Sequence, residues 1–307
     1  MLFWRLVFGP ILIVSFVGLL WADLRLGPRA PLLALLVALI AIRMSWEYAR
    51  LLQVRSFRLN WHVLALLASG VVLANWFPIP GLTGMSASLA QLGPPMLVFG
   101  LALMLLFTRA MYHFEQPGTS LENLGAEVLG LCYIAILTST TAQLRWVGDG
   151  LLGYIPLASL VVTVKCGDTS AFFVGRALGG ARMAPRISPG KTVSGGIAAL
   201  VGGMLGGCLW LHFALPGLTG QPAGPLWALL LYGLLIALAG MLGDLAESLI
   251  KRDVGQKDAP PLFPGFGGLL DVVDSVLFCG PLALLLWNVL PLVKAPAPEI
   301  VRALLSP

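Results

Sequence analysis

Residues 248–274 read SLIKRDVGQKDAPPLFPGFGGLLDVVD and connect two strongly apolar segments, near 224–250 and 269–293. The connection carries cations, a glycine-rich turn and carboxylates beside segments that are hydrophobic enough to cross a bilayer. A charged side chain near the centre of a membrane helix costs about 2.5–3.5 kcal/mol on insertion scales, so such residues usually persist because they bind or react. The stretch therefore predicts membrane helices on both sides and chemistry between them.

The composition of the whole chain is that of a membrane protein. Hydrophobic residues make up 58% of the 307 positions and charged residues only 11%, which excludes an ordinary soluble domain. Because about 20 helical residues span a bilayer, we predict an all-α, polytopic integral membrane protein with about nine transmembrane helices. The apolar runs lie near 4–22, 31–52, 61–77, 94–112, 124–143, 150–166, 195–214, 224–250 and 269–293.

The positions of the cations predict the orientation and the organisation of the chain. Lys and Arg accumulate on the cytoplasmic side of membranes, and most of the 19 cations share one side if the N-terminus is inside. We therefore expect a bacterial inner (plasma) membrane protein whose N-terminus and polar active-site loops are cytoplasmic.

Residues 1–150 are predicted to form scaffold helices, residues 151–294 a catalytic region and residues 295–307 a tail, within one membrane-embedded domain.

The first polar cluster spans residues 165–196. Asp168 ends an apolar helix, and Arg176, Ser188, Lys191 and Thr192 follow among glycines and prolines. Such a basic loop suits phosphate binding through cations and backbone N–H groups. The GxxxxGK[ST] spacing is absent, which excludes a P-loop. A basic loop that holds topology or contacts anionic lipid is the alternative.

The second cluster lies at the end of the segment near 224–250. Asp244, Ser248 and Lys251 follow an i, i+4, i+7 spacing, which predicts one helical face with Glu247 at its edge. A carboxylate, a hydroxyl and an ammonium would then point into one cavity. The alternative is a structural ion pair of Lys251 with Asp244 or Glu247.

The third cluster opens the last apolar segment. Asp271 and Asp274 are i, i+3 neighbours at a predicted helix N-terminus, where a carboxylate is favoured by the helix dipole. Capping accounts for one of the two. Together with Asp244 they are candidate oxygen ligands of Mg²⁺, which takes a few carboxylates plus substrate phosphates.

These clusters resemble the phosphatidate cytidylyltransferases, also called CDP-diacylglycerol synthases. The family signature combines Ser-x-apolar-Lys-Arg, Lys-Asp and a Gly-Gly turn that leads to two aspartates. The matching positions here are Ser248, Ile250, Lys251, Arg252, Lys257, Asp258, Phe263, Pro264, Gly267, Gly268, Leu269, Asp271, Val273 and Asp274. Upstream, Asp168, Gly175, Arg176, Gly179 and residues 184–192 resemble a second block of the family. Phe266, Val272 and Pro260 stand where the family has His, Arg and a small residue.

The resemblance implies transfer of a cytidylyl group from CTP to phosphatidate in phospholipid biosynthesis, with Mg²⁺ as cofactor and a second cation left open. It implies that the catalytic residues are Asp244, Ser248, Lys251, Asp271 and Asp274, the three aspartates being metal ligands. The implied substrate-binding residues are Asp168, Arg176, Ser188, Lys191, Thr192, Arg252, Lys257, Asp258, Gly267 and Gly268. The expected partners are CTP, phosphatidate and the bilayer, without nucleic acid; a homodimer is left open.

Three other functions compete with this interpretation. A CTP-dependent polyprenol or dolichol kinase would have similar polar loops but would phosphorylate an alcohol. A non-catalytic member of the family is the second alternative, because of the differences at Phe266, Val272 and Pro260. A transporter is disfavoured, since its polar residues would lie at mid-depth along several helices, whereas here they gather at one predicted face.

Overall fold

The computed structural model describes residues 2–77, 92–114, 117–261 and 267–294. Phe263, Pro264 and Phe266 of the predicted signature and the predicted tail at 295–307 lie outside these ranges. Within the described ranges the chain is almost entirely helical. Its helices are α1 Leu2–Arg25, α2 Pro31–Gln53, α3 Trp61–Leu73, α4 Gly93–Tyr112, α5 Ser120–Leu131, α6 Leu137–Gln143, α7 Ile155–Leu178, α8 Val193–Thr219, α9 Leu226–Asp253 and α10 Leu269–Val289.

Seven helical segments of the described chain are long and apolar enough to cross a membrane. They are α2, α4, the segment Ser120–Gly148 that includes α5 and α6, and α7 to α10. The apolar helix Trp61–Trp76 is shorter. The all-α, polytopic membrane architecture is confirmed, and such helices satisfy their own backbone hydrogen bonds within lipid. The count of about nine spans and the sides of the loops stay predictions.

Helices α7, α8 and α9 pack together through small residues. A Cβ on Gly203 of α8 would lie 3.1 Å from the carbonyl oxygen of Thr163 on α7 and 2.6 Å from the Cβ of Ala237 on α9. A Cβ on Gly233 of α9 would lie 2.6 Å from the carbonyl oxygen of Met204. Small residues let membrane helices approach at backbone distance, so these glycines fix the spacing of the three helices that surround the polar clusters.

A short antiparallel hairpin separates α7 from α8, where the sequence predicted only a basic loop. Its strands are β1 Arg182–Ala184 and β2 Ser188–Thr192, with Arg182 opposite Thr192. The Oγ1 of Thr192 accepts a hydrogen bond from Gly195 N at 3.1 Å and so caps α8. The hairpin therefore holds Lys191 at a fixed position beside the start of a membrane helix.

Asp23 is a fully buried carboxylate that joins three helices. Its Oδ1 accepts a hydrogen bond from Leu32 N at 2.6 Å, and its Oδ2 accepts one from the Tyr154 hydroxyl. Burial, with Asp23 as a second cause, raises the pKa of Tyr154, so the phenol stays protonated as the donor at neutral pH. Asp23 thus ties the end of α1 to the starts of α2 and α7.

Asp23→Ala is expected to lower the free energy of unfolding by about 3 kcal/mol, because two hydrogen bonds to a buried charge are lost and their donors lose their acceptor. The measurement is unfolding of the purified protein in detergent. Asp253→Ala is the matched control, since Asp253 forms an exposed pair with Arg55 at 2.9 Å and exposed pairs contribute at most about 1 kcal/mol. Equal losses in the two variants would contradict the proposed role of Asp23.

Candidate active site

A cavity of about 700 Å³ opens between α7, α8, α9 and the hairpin. Charged side chains from α7, the hairpin and α9 line it. They are Asp168, Arg176, Arg182, Lys191 and Asp244. The rest of the lining is largely apolar and includes Val164, Ala199, Ala237 and Met241. A space that is charged on one side and apolar on the other can accommodate a ligand with a polyanionic head and a hydrocarbon tail.

An ion pair between Lys191 and Asp244 crosses this cavity. Lys191 Nζ lies 2.6 Å from Asp244 Oδ2, and both side chains remain partly exposed to the cavity. The hydroxyl of Ser248, one turn along α9, donates a hydrogen bond to Asp244 Oδ1 at 3.4 Å. The pair joins the first predicted cluster to the second and leaves this part of the site electrically neutral.

Lys251 belongs to a separate, more buried group of charges. Its Nζ contacts Glu247 and lies 2.6 Å from Asp271 Oδ1. Of the predicted stripe, Asp244 lines the cavity, whereas Ser248 and Lys251 are buried behind it. Lys251 contacts Glu247 of its own helix and Asp271 of α10, and the shared catalytic role of Asp244, Ser248 and Lys251 stays a prediction. The alternative of a structural ion pair describes Lys251 and Glu247.

Asp271 and Asp274 have different environments despite their i, i+3 spacing. Asp271 Oδ2 accepts hydrogen bonds from Gly268 N at 2.8 Å and Ala259 N at 3.2 Å, and Oδ1 contacts Lys251. Asp274 is buried, and its Oδ1 accepts hydrogen bonds from the backbone N and hydroxyl of Ser275. Capping therefore explains Asp271, while the second oxygen of Asp274 has no hydrogen bond to the described residues.

The fit of Mg²⁺ to these residues depends on which oxygens are free. The described residues hold no group of three or more His, Cys, Asp or Glu side chains arranged for a metal ion. Asp271 fits less well than Asp244, because its oxygens are engaged by two backbone N–H groups and the buried Lys251, whereas those of Asp244 are engaged by Ser248 and the partly exposed Lys191. Asp244, which lines the cavity, and Asp274, whose Oδ1 alone is engaged by Ser275, are the better candidates for a two-carboxylate set, because Mg²⁺ commonly adds substrate phosphate oxygens to such a set. Among the described residues, Asp244, Asp271 and Asp274 are not arranged together as one three-carboxylate metal site.

Comparison with known proteins adds an independent observation. A model of the Cytidylyltransferase family matches residues 3–290 of this chain. The chain belongs to the cytidylyltransferase family. Proteins named phosphatidate cytidylyltransferase are similar to it: one from Brucella abortus is 39% identical over 153 residues, which are 50% of this chain and 53% of that protein. Another, from Synechocystis, is 34% identical over 197 residues, which are 55% of this chain and 64% of that protein. The chain spans about half the length of the first of these relatives.

The structure of this cytidylyltransferase family member brings together only some of the predicted substrate-binding residues. Asp168, Arg176, Lys191 and Thr192 line the cavity. Arg252 serves the scaffold instead, because its Nε donates to the carbonyl oxygen of Ile187 at 3.1 Å and so holds the hairpin on α9. The predicted residues outside the cavity lining are Ser188, Arg252, Lys257, Asp258, Gly267 and Gly268.

Three charged residues near the site were not assigned to it from the sequence. Arg182 lines the cavity and belongs to a basic segment that could have indicated it. Lys165 lies 3.2 Å from Asp168 Oδ2, and its Nζ lies 3.5 Å from the carbonyl oxygen of Val272. A cation thus adjoins the position where the family has Arg and this chain has Val272. Glu47, on α2, reaches the start of α10, and no local signal could have indicated that contact.

Proposed function

We propose that this chain transfers the cytidylyl group of CTP to phosphatidate, forming CDP-diacylglycerol and pyrophosphate. The observation that carries the proposal is the cavity, which pairs Lys191 with Asp244 among further cations and continues into an apolar wall. Relatives that bear the name of this activity support it. We further propose that the site faces the cytoplasm from the bacterial inner membrane, where CTP is available. A homodimer stays a prediction.

The reaction joins two polyanions, so positioning and charge neutralisation are its main requirements. A phosphate oxygen of phosphatidate attacks the α-phosphorus of CTP. The bond from that phosphorus to the bridging oxygen of the β-phosphate breaks, and pyrophosphate leaves with the electron pair. Because the attacking phosphate is ionised at neutral pH, no side chain has to remove a proton from it.

The charged residues that line the cavity, together with the buried Asp274 outside its lining, have complementary roles in this proposal. Asp244 and Asp274 would hold Mg²⁺, which supplies charge neutralisation of the phosphate oxygens when bound. Lys191 would exchange Asp244 for a phosphate group, so the ion pair opens as CTP binds. Arg176 and Arg182 would bind further phosphate oxygens. The apolar wall would accommodate the part of the lipid next to its phosphate.

The proposal is tested with purified protein in detergent, supplied with phosphatidate, CTP and Mg²⁺. We expect release of pyrophosphate only when phosphatidate and CTP are both present, together with a CDP-lipid. Release of CDP with a polyprenol instead would identify the lipid kinase alternative. Absence of any product from folded protein would support the non-catalytic alternative.

Lys191→Met is expected to raise the KM for CTP by about 10- to 100-fold, because a charge-assisted hydrogen bond contributes roughly 1.5–3 kcal/mol. Methionine keeps most of the apolar stem, so packing changes little. The measurement is the initial rate of CDP-lipid formation against CTP concentration. Lys294→Met is the control, since Lys294 is a cation beyond α10 and outside the cavity lining. A KM equal to that of the unmodified protein would exclude contact of Lys191 with the nucleotide.

A further inference from the structure

Glu47 on α2 binds the start of α10, more than 200 positions along the chain. Its side chain is fully buried, and its Oε1 accepts hydrogen bonds from Leu269 N at 2.9 Å and Arg43 Nε at 2.6 Å. Its Oε2 accepts one from Leu270 N at 2.8 Å. Both oxygens of this carboxylate are therefore directed at the N-terminus of one helix.

Three consecutive N–H groups at the start of α10 are bound by carboxylates. The first N–H groups of a helix have no partner within it, and negative charge is favoured beside them. Asp271, from the same helical turn, accepts a hydrogen bond from Gly268 N at 2.8 Å. Glu47 accepts hydrogen bonds from the next two N–H groups, those of Leu269 and Leu270. The start of α10 is thus fixed by one carboxylate of its own and one from α2.

Gly268 is the residue that permits this approach. A Cβ at position 268 would lie 2.5 Å from Glu47 Oε2 and 2.8 Å from the Cβ of Ala259. Because real Cβ atoms do not come so close to other atoms, any side chain here would displace Glu47 or the segment around Ala259. The glycine assigned to substrate binding from the sequence is instead required by the contact between α2 and α10.

We propose that Glu47 is a positioning residue that sets the depth and rotation of α10, and thereby the placement of Asp274 relative to Asp244. The same helix start carries Asp271, whose contact with Lys251 at 2.6 Å joins α10 to α9. Arg43 partly neutralises Glu47 and donates to the carbonyl oxygen of Pro261 at 3.3 Å, so the preceding connection is held too. The catalytic consequence rests on the proposed function.

Glu47→Gln is the direct test, because it keeps the shape but removes the charge and one of the two acceptor oxygens. We expect kcat for CDP-lipid formation to fall about 10- to 100-fold, the effect of a displacement of about 1 Å at a reacting centre. The KM for CTP should stay within about twofold, since the cations that line the cavity lie on other elements. Hydrogen exchange at the amides of residues 269 and 270 should become faster.

Three further variants separate positioning from general damage. Gly268→Ala should reproduce both effects, and the double variant should be no worse than the more impaired single one, because both act on one contact. Glu127→Gln is the matched control: Glu127 is also buried in the N-terminal half, but it pairs with Arg109 at 2.6 Å and accepts from Asn60 N, both of which lie away from α10. It should leave kcat and the exchange of amides 269 and 270 unchanged.

The results that would overturn the proposal are specific. Unchanged amide exchange at 269 and 270 in Glu47→Gln would show that Glu47 does not anchor α10, whatever the activity. An equal fall of kcat in Glu127→Gln would show that general destabilisation is responsible. If the unmodified protein makes no CDP-lipid, the proposed function fails, while the exchange comparison still decides whether Glu47 fixes α10.

Discussion

Asp244→Asn is expected to lower kcat for CDP-lipid formation by roughly 100- to 1,000-fold, the range seen when a group that stabilises a transition-state charge is removed. Asp244 is the carboxylate of α9 that lines the cavity, and it contacts Lys191 at 2.6 Å. Asparagine preserves the volume and the acceptor for Ser248 but cannot supply a negative charge to Mg²⁺. The measurement is turnover at saturating CTP, repeated over a range of Mg²⁺ concentrations.

The Mg²⁺ series distinguishes loss of a metal ligand from loss of folding. We expect the Asn variant to need a higher Mg²⁺ concentration for half-maximal rate. Asp253→Asn, at the exposed end of the same helix, should behave as the unmodified protein, because Asp253 forms an exposed pair with Arg55. Unchanged turnover in Asp244→Asn would remove Asp244 from the reaction.

Lys251→Met is expected to cause the largest loss of stability, about 3–5 kcal/mol, because breaking a buried ion pair leaves uncompensated charge in a poorly solvated site. Lys251 contacts both Glu247 and Asp271, and only 11% of its side chain is exposed. Without the ammonium, two carboxylates would repel each other between α9 and α10. The measurement is the free energy of unfolding in detergent.

A second variant distinguishes the effect of the lost charge from the effect of changed side-chain packing. In the Lys251→Met, Glu247→Gln double variant one of the two carboxylate charges is gone, so we expect part of the lost stability to return. Lys165→Met provides the comparison for an exposed pair, since Lys165 and Asp168 are each 48% exposed, and it should cost at most about 1 kcal/mol. If Lys251→Met lowers the free energy of unfolding no more than Lys165→Met does, the buried-charge explanation is contradicted.

The membrane fold and the placement of Asp244 and the basic segment at one membrane face were the predictions that the sequence allowed. Apolar runs of about 20 residues have few alternatives to membrane helices, and most of their positions agree with the observed helices. The run predicted near 150–166 is an exception, because the helix Ile155–Leu178 continues through Asp168 and Arg176, which were predicted to lie at or beyond its end. Asp244 and Lys191 were assigned to one site because both lie at the same predicted membrane face, and their side chains are 2.6 Å apart. Composition and periodicity are sufficient for the existence of the helices, which depends on neighbours along the chain.

Features that depend on distant partners could not be predicted in this way. The stripe of Asp244, Ser248 and Lys251 follows helical periodicity, but Asp271 from α10 draws Lys251 out of the cavity. Glu47 has the local appearance of an interface residue beside Trp46, and only the three-dimensional contact with Leu269 and Leu270 reveals its role. Periodicity predicts which residues share a face, whereas the partner that each one meets is set by tertiary packing.

The most direct test of the central claim follows the phosphorus atoms of CTP. The purified protein is incubated with phosphatidate and Mg²⁺, and with CTP that carries radioactive phosphorus at either the α or the γ position. We predict that the α label appears in the lipid product and the γ label in pyrophosphate, with both transfers greatly reduced in Asp244→Asn. Transfer of the γ label to lipid, or no labelled lipid from folded protein, would contradict a cytidylyl transfer.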